Sequence, residues 1–148
     1  MAPTTAQRHW PFLRSVKLFR PYADEVPWAL FDAQPGNLTA EQMQALVSNA
    51  QSQLADCFLR VAKLDDEVIG AYIIRRQNEQ SFELVYLAVA LSQRHKGLGH
   101  WLMGHAIGVA ESKGGRRMLA ADCAQKRFLR AYGFSDENAE QVFDFVPE

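Results

Sequence analysis

The chain has 148 residues, 48% of them apolar, and its 16 Lys plus Arg stand against 17 Asp plus Glu. That length and composition fit one domain with a packed core and argue against disorder. A net charge of −1 excludes the broadly basic surface of a general nucleic-acid binder, although it allows a local basic pocket.

Residues 1–12 read as a loose lead-in to a single domain over 1–148, with no apolar core of a secretory signal. FLRSVKLF, residues 12–19, suits a first strand. Residues 20–37 are broken by Pro21, Pro27 and Pro35, so the expectation there is short helical turns and loop. A helix follows over 39–55. Thr39 and Gln42 fit a capping box, and Met43, Leu46, Val47, Ala50 and Leu54 form its apolar stripe. CFLRVAKL (57–64) and VIGAYIIRR (68–76) flank Asp65-Asp66-Glu67, as a hairpin would. SFELVYLAVAL (81–91) is apolar on both faces and predicts an interior strand. Its run Leu84–Leu91 is far shorter than the roughly 20 residues that span a bilayer, so no membrane contact and a cytoplasmic location are expected.

After Gly97 a helix carries Leu98, Trp101, Leu102, Ala106 and Val109 on one side and stops near Gly114-Gly115. Gly104 and Gly108 inside it suggest close packing on the sheet. RRMLAAD is a short strand, Asp122 caps a helix over 123–132 that ends at Gly133, and QVFDFV is a last strand. That last strand completes the sheet or pairs with another chain, which leaves a homodimer open. The order implies an α/β fold with a mixed sheet and a parallel strand–helix–strand unit over 81–122. Ligands in such sheets sit at the carboxyl ends of strands, where the Gly97 loop lies.

SQRHKGLGH (92–100) puts Arg94, His95 and Lys96 before Gly97 and Gly99 at a helix start. A helix N-terminus offers unpartnered N–H groups and a partial positive charge, and glycines let a ligand approach the backbone. The loop therefore suits a pyrophosphate, or it is a tight turn with solvated charges. The spacing is neither a Walker A loop nor GxGxxG.

The wider stretch YLAVALSQRHKGLGHWLMGHAIGVAESKG resembles the acyl-CoA-binding core of the GNAT superfamily of N-acetyltransferases. Leu87-Ala88-Val89 leads, five residues on, to Arg94-His-Lys-Gly97-Leu-Gly99, and DCAQKRFLRAYGF is similar to the family's helix running into Gly-Phe. The resemblance covers about residues 57–134. It implies a mixed, mostly antiparallel central sheet with a parallel core and helices on both faces. It also implies acetyl-CoA as co-substrate, its pyrophosphate held by the backbone of His95, Lys96, Gly97, Leu98, Gly99 and His100 beside Arg94. The main chain of Leu87, Ala88 and Val89 would pair with the pantetheine arm, and this requires an open strand edge.

Acyl transfer to an amine needs a base. Glu83 matches the base position of histone-type members. Strict alternation puts it on one face with Val85, Leu87 and Val89, where an apolar setting would raise its pKa. The alternative is a salt bridge with Arg75 or Arg76. The family's usual Tyr acid falls on Leu129, which cannot donate a proton. Tyr132 lies close in sequence, and the helix-start Asn is replaced by Asp122 or Cys123. The resemblance thus implies an N-acetyltransferase acting on a primary amine of a small molecule or peptide, or a non-catalytic acyl-CoA-binding regulatory module. Cys57 and Cys123 form no CxxC pair, and His95, His100 and His105 lack helical zinc spacing, so no metal is expected. Asp24, Glu25 and Asp32 could meet a cationic acceptor but read more readily as solvated surface charges, and Trp10, Trp28 and Phe31 could form an apolar wall or simply core.

Overall fold

Runs of β-branched and aromatic residues set the strands, and tight polar turns set how they pair. The computed structural model describes residues 13–52, 56–121 and 125–145. Among these, seven strands form one sheet in the order β1-β2-β3-β4-β5-β7-β6. They are β1 Lys17–Phe19, β2 Cys57–Leu64, β3 Glu67–Arg76, β4 Ser81–Val89, β5 Arg117–Ala121, β6 Ser135–Glu137 and β7 Glu140–Asp144. The α-helices are α1 Trp28–Ala33, α2 Ala40–Ser52, α3 Leu98–Ser112 and α4 Lys126–Tyr132.

The β2–β3 hairpin turns at Asp65 (φ 50°) and Asp66 (φ 68°), the two positive dihedrals that a type I′ turn needs. The capping box of α2 is closed both ways. The Thr39 N–H donates to Gln42 Oε1 at 2.8 Å, and the Gln42 N–H donates to Thr39 Oγ1 at 3.1 Å. Met43, Leu46, Val47 and Ala50 are buried on one face of the sheet with Phe31 of α1. Leu98, Leu102, Met103, Ala106 and Ala110 of α3 and Leu129 of α4 are buried on the other. Helices therefore cover both faces.

Only β4 and β5 pair in parallel, and all other neighbours are antiparallel. The parallel register runs from Ser81↔Arg117 to Leu84↔Ala120 and then ends. β4 continues to Val89 against β3 alone, so its other edge lies open beyond Leu84.

Several boundaries differ from the sequence reading. The first strand spans three residues rather than eight, and β4 ends at Val89, two residues early, where a 3₁₀ turn Leu91–Gln93 begins. The 135–140 segment, to which the sequence reading gave no element, is part of a β6–β7 hairpin turned at Asn138 and Ala139. The last strand, β7, lies inside the sheet between β5 and β6. Gly104 and Gly108 do not mark close packing. A Cβ at Gly104 would come no nearer than 3.7 Å to the Tyr132 hydroxyl, and one at Gly108 would meet nothing within 4 Å. Both face away from the sheet. Trp10, Leu54, Asp122 and Cys123 lie outside the described residues.

Candidate active site

The decisive local feature is a β-bulge. β3 pairs Ile74 with Leu84 and Ile73 with Tyr86, leaving Val85 as an extra residue. Alternation resets there. Phe82 and Leu84 face α3, and so do Leu87 and Val89, whereas Val85, Tyr86 and Ala88 face α2. Glu83, set between Phe82 and Leu84, points to the α2 side. It therefore does not share a face with Leu87 and Val89, as strict alternation had required.

Two hollows meet where β4 and β5 part. The first is a groove of about 880 Å³ along the open β4 edge and the start of α3. Leu87, Ala88, Val89, Arg94, His95, Gly97, Leu98, Gly99 and His100 all line it. Lys96 does not line it, and its ammonium donates to Gln93 Oε1 at 3.2 Å. Gly97 stands just before the helix at φ 84°, a conformation that costs an L side chain about 1–2 kcal/mol. Gly99 is needed for space, since a Cβ there would come within 3.0 Å of Phe128 Cε1. Trp101 gives the first turn's bond, its N–H donating to the Gly97 carbonyl at 3.1 Å. The N–H groups before it have no partner within the helix, as at any helix N-terminus.

α4 forms the far wall. His100 packs edge-on against Phe128 (5.3 Å between centroids) and Tyr132 (5.4 Å), which fixes α3 to α4. Sequence reasoning missed Phe128, Arg127, Gln93, Gln34 and Gln125, all of which line the groove. Arg94 does not lie along the helix start. Its Nη2 donates to Gln34 Oε1 at 2.8 Å, and its Nε reaches the Val89 carbonyl at 3.4 Å.

The second hollow, about 340 Å³, lies between the lead-in to α2 and the start of α4. Glu83 and Arg75 line it, with Tyr86, Gln42, Gln125 and Leu129. Arg75 Nε and Glu83 Oε1 form an ion pair at 2.9 Å, and Gln77 donates to the same oxygen. The Glu83 side chain is 18% exposed. The Tyr86 hydroxyl donates to the Gln34 carbonyl at 2.7 Å, and burial raises its pKa. Leu129 is fully buried at the position of the missing acid. Tyr132 lines neither hollow; its ring packs on His100 and Phe143, and its hydroxyl lies towards Gly104.

The remaining candidates fall elsewhere. Asp24, Glu25 and Asp32 line neither hollow. Trp28 is 41% exposed and meets buried Phe31 edge-on, and Phe31 meets Tyr86 in the same way. Cys57 is buried, which raises its thiol pKa. His105 pairs through Nδ1 with the Tyr72 hydroxyl at 2.6 Å. Among the described residues no group of three His, Cys, Asp or Glu is placed to hold a metal ion. Nor is any helix among them long and apolar enough to cross a membrane.

The family model for acetyltransferases of the GNAT family matches residues 14–134. The chain belongs to the GNAT family. Among curated proteins none matches the sequence. This GNAT chain is similar in fold to a GNAT acetyltransferase from Elizabethkingia anophelis solved with acetyl-CoA bound. The two share 18% identity and a TM-score of 0.72, over 88% of this chain and 99% of that one. A GNAT acetyltransferase from Brucella melitensis in complex with acetyl-CoA shares 17% identity at a TM-score of 0.66, over 90% of each chain. N-acetylglutamate synthase from Neisseria gonorrhoeae, complexed with coenzyme A and N-acetyl-glutamate, shares 16% identity at a TM-score of 0.71. That match covers 89% of this chain and 35% of the synthase. At such identities the likeness is one of fold. The mixed, mostly antiparallel sheet with one parallel pair is the architecture of these GNAT structures.

Proposed function

We propose that the chain is an acetyl-CoA-dependent N-acetyltransferase that acts on a primary amine of a small molecule or peptide in a ternary complex. One observation carries this reading. The β4–β5 pair parts after Leu84↔Ala120 and leaves a strand edge that no strand covers between an anion-suited helix start and a cavity holding a carboxylate. The donor fits that geometry. The groove runs from the open edge of β4 to a helix N-terminus beside glycines. Leu87 to Val89 would receive the pantetheine arm as a strand partner, and the turn from His95 to His100 would receive the pyrophosphate.

The acceptor enters from the Glu83 side. Glu83 takes the proton as the amine nitrogen bonds to the acetyl carbon, and the carbon–sulfur bond then breaks to give an amide and the coenzyme's thiol. Tyr86, the tyrosine that lines the second hollow, holds its hydroxyl on the Gln34 carbonyl, so the thiolate leaves without a side-chain acid and takes its proton from solvent.

The test is release of free thiol when pure protein meets acetyl-CoA and a panel of amines and peptides. Turnover with at least one acceptor is the expected result. Tight acetyl-CoA binding without turnover for any acceptor would favour the regulatory-module reading instead, for which the buried Leu129 is the supporting observation. A folded chain whose thermal unfolding is unmoved by millimolar acetyl-CoA would overturn both.

A further inference from the structure

The open edge of β4 is already occupied. Leu87 and Val89 lie two apart, so their carbonyls point to the same side of the strand. The Gln125 carboxamide donates from Nε2 to the Leu87 oxygen at 2.8 Å. The Gln34 carboxamide donates from Nε2 to the Val89 oxygen at 2.9 Å. Both glutamines line the groove and the cavity alike, and so they form the partition between them.

Gln34 is tied at four points. Its N–H donates to the Leu30 carbonyl at 2.8 Å, and its own carbonyl accepts the Tyr86 hydroxyl at 2.7 Å. Its carboxamide gives Nε2 to Val89 and takes Nη2 of Arg94 on Oε1. The guanidinium that the basic loop supplies is thus engaged on the strand edge.

We propose that Gln34 and Gln125 are a latch on β4: their carboxamides hold the two carbonyls that a pantetheine arm needs, and acetyl-CoA binds by exchanging with them. The inference rests on the acetyl-CoA reading above. The exchange replaces one amide N–H donor by another, so the β4 carbonyls are satisfied in both states. Loss of the Val89 contact also loosens Arg94, which then turns to the phosphates, and it moves one wall of the acceptor cavity. Pantetheine docking, phosphate recognition and cavity shape are coupled through Gln34.

A latch lowers apparent affinity by the fraction of molecules that are open. Removing one net hydrogen bond of the usual worth should therefore tighten acetyl-CoA binding by about three- to tenfold. Titration calorimetry on Gln34→Ala and Gln125→Ala tests this. Adenosine 3′,5′-bisphosphate, the nucleotide end without the pantetheine arm, is the control. Both variants should bind acetyl-CoA more tightly than wild type, and Gln125→Ala should bind the nucleotide unchanged. The latch is refuted if either variant binds acetyl-CoA no tighter than wild type, or if Gln125→Ala gains equally for the nucleotide. Should the variants not fold, wild-type chain labelled with ¹⁵N-glutamine decides. Two carboxamide signals must move with acetyl-CoA, that of Gln125 must not move with the nucleotide, and carboxamides that stay still with acetyl-CoA refute the latch. Wild type that does not bind acetyl-CoA at all overturns the donor reading and the latch together. Binding without these effects overturns the latch alone.

Discussion

Gly99→Glu separates shape from charge at the start of α3. A Cβ at this position would sit 3.0 Å from Phe128 Cε1, so even Gly99→Ala makes the ring give by a few tenths of an ångström. A longer side chain must then leave along the groove that Gly99 lines. A carboxylate about 5 Å from a phosphate charge is opposed by about 0.8 kcal/mol at the dielectric of water and by about 3 kcal/mol at an effective value near 20. With roughly two charges on the pyrophosphate, the lower bound is about 1.7 kcal/mol, a loss of nearly twentyfold. Gly99→Gln carries the same shape without the charge. Calorimetry should show acetyl-CoA binding to Gly99→Glu at least about tenfold more weakly than to Gly99→Gln, and raised salt should narrow the gap because an open groove is screened. Equal affinities for the two variants, or a gap that ignores salt, would refute the placement of the phosphates at this turn.

Three further substitutions probe the chemistry and the scaffold. Glu83→Gln should lower kcat/KM by about 10²-fold or more and remove the fall in rate at low pH that a base imposes, as read from a pH–rate series. Tyr132→Phe should hold kcat within about twofold, where loss of a working acid would cost about 10²–10⁴-fold, because its hydroxyl points towards Gly104 and not into the cavity. His105 has a pKa lowered by burial and then by Arg60, so the fold favours its neutral ring, which is hydrogen-bonded to the Tyr72 hydroxyl. Its stabilisation is complete above the unfolded value of about 6.5 and is lost as pH falls below it. The lead of wild type over His105→Asn in thermal unfolding should therefore shrink as pH falls from neutral towards about 5.

Elements whose physics is local were legible. The Thr39–Gln42 box, the Asp65-Asp66 turn and the left-handed Gly97 all carry their signal within a few residues. Elements defined by distant partners were not. Gln34 and Gln125 are ordinary carboxamides in sequence, and their acceptors lie 55 and 38 residues away. β6 is short, polar and exposed, so no apolar alternation marks it, and its Asn138-Ala139 turn lacks the usual glycine. Gly104 faces the Tyr132 hydroxyl and Gly108 open space, neither of which residue type alone could reveal. The bulge at Val85 was hidden for another reason. From Leu84 to Val89 every position of β4 is apolar, so an inserted residue leaves the pattern unchanged.

That hidden bulge accounts for both halves of the site. One extra residue bends a strand and increases its local twist. β4 bulges at Val85, directly after its last pair with β5, so the two strands part where the bend begins. The same insertion reverses which faces are presented on either side of it. Upstream, Glu83 is delivered to the α2 side, where the second cavity lies. Downstream, Leu87 and Val89 pack towards α3 while their carbonyls remain on the edge that β5 has left. Without the bulge the edge would stay paired and the groove would close. With it, Glu83 and a row of carbonyls that β5 leaves unpaired come from a single strand a few residues apart, the separation that the proposed transfer from a strand-bound thioester to an amine demands.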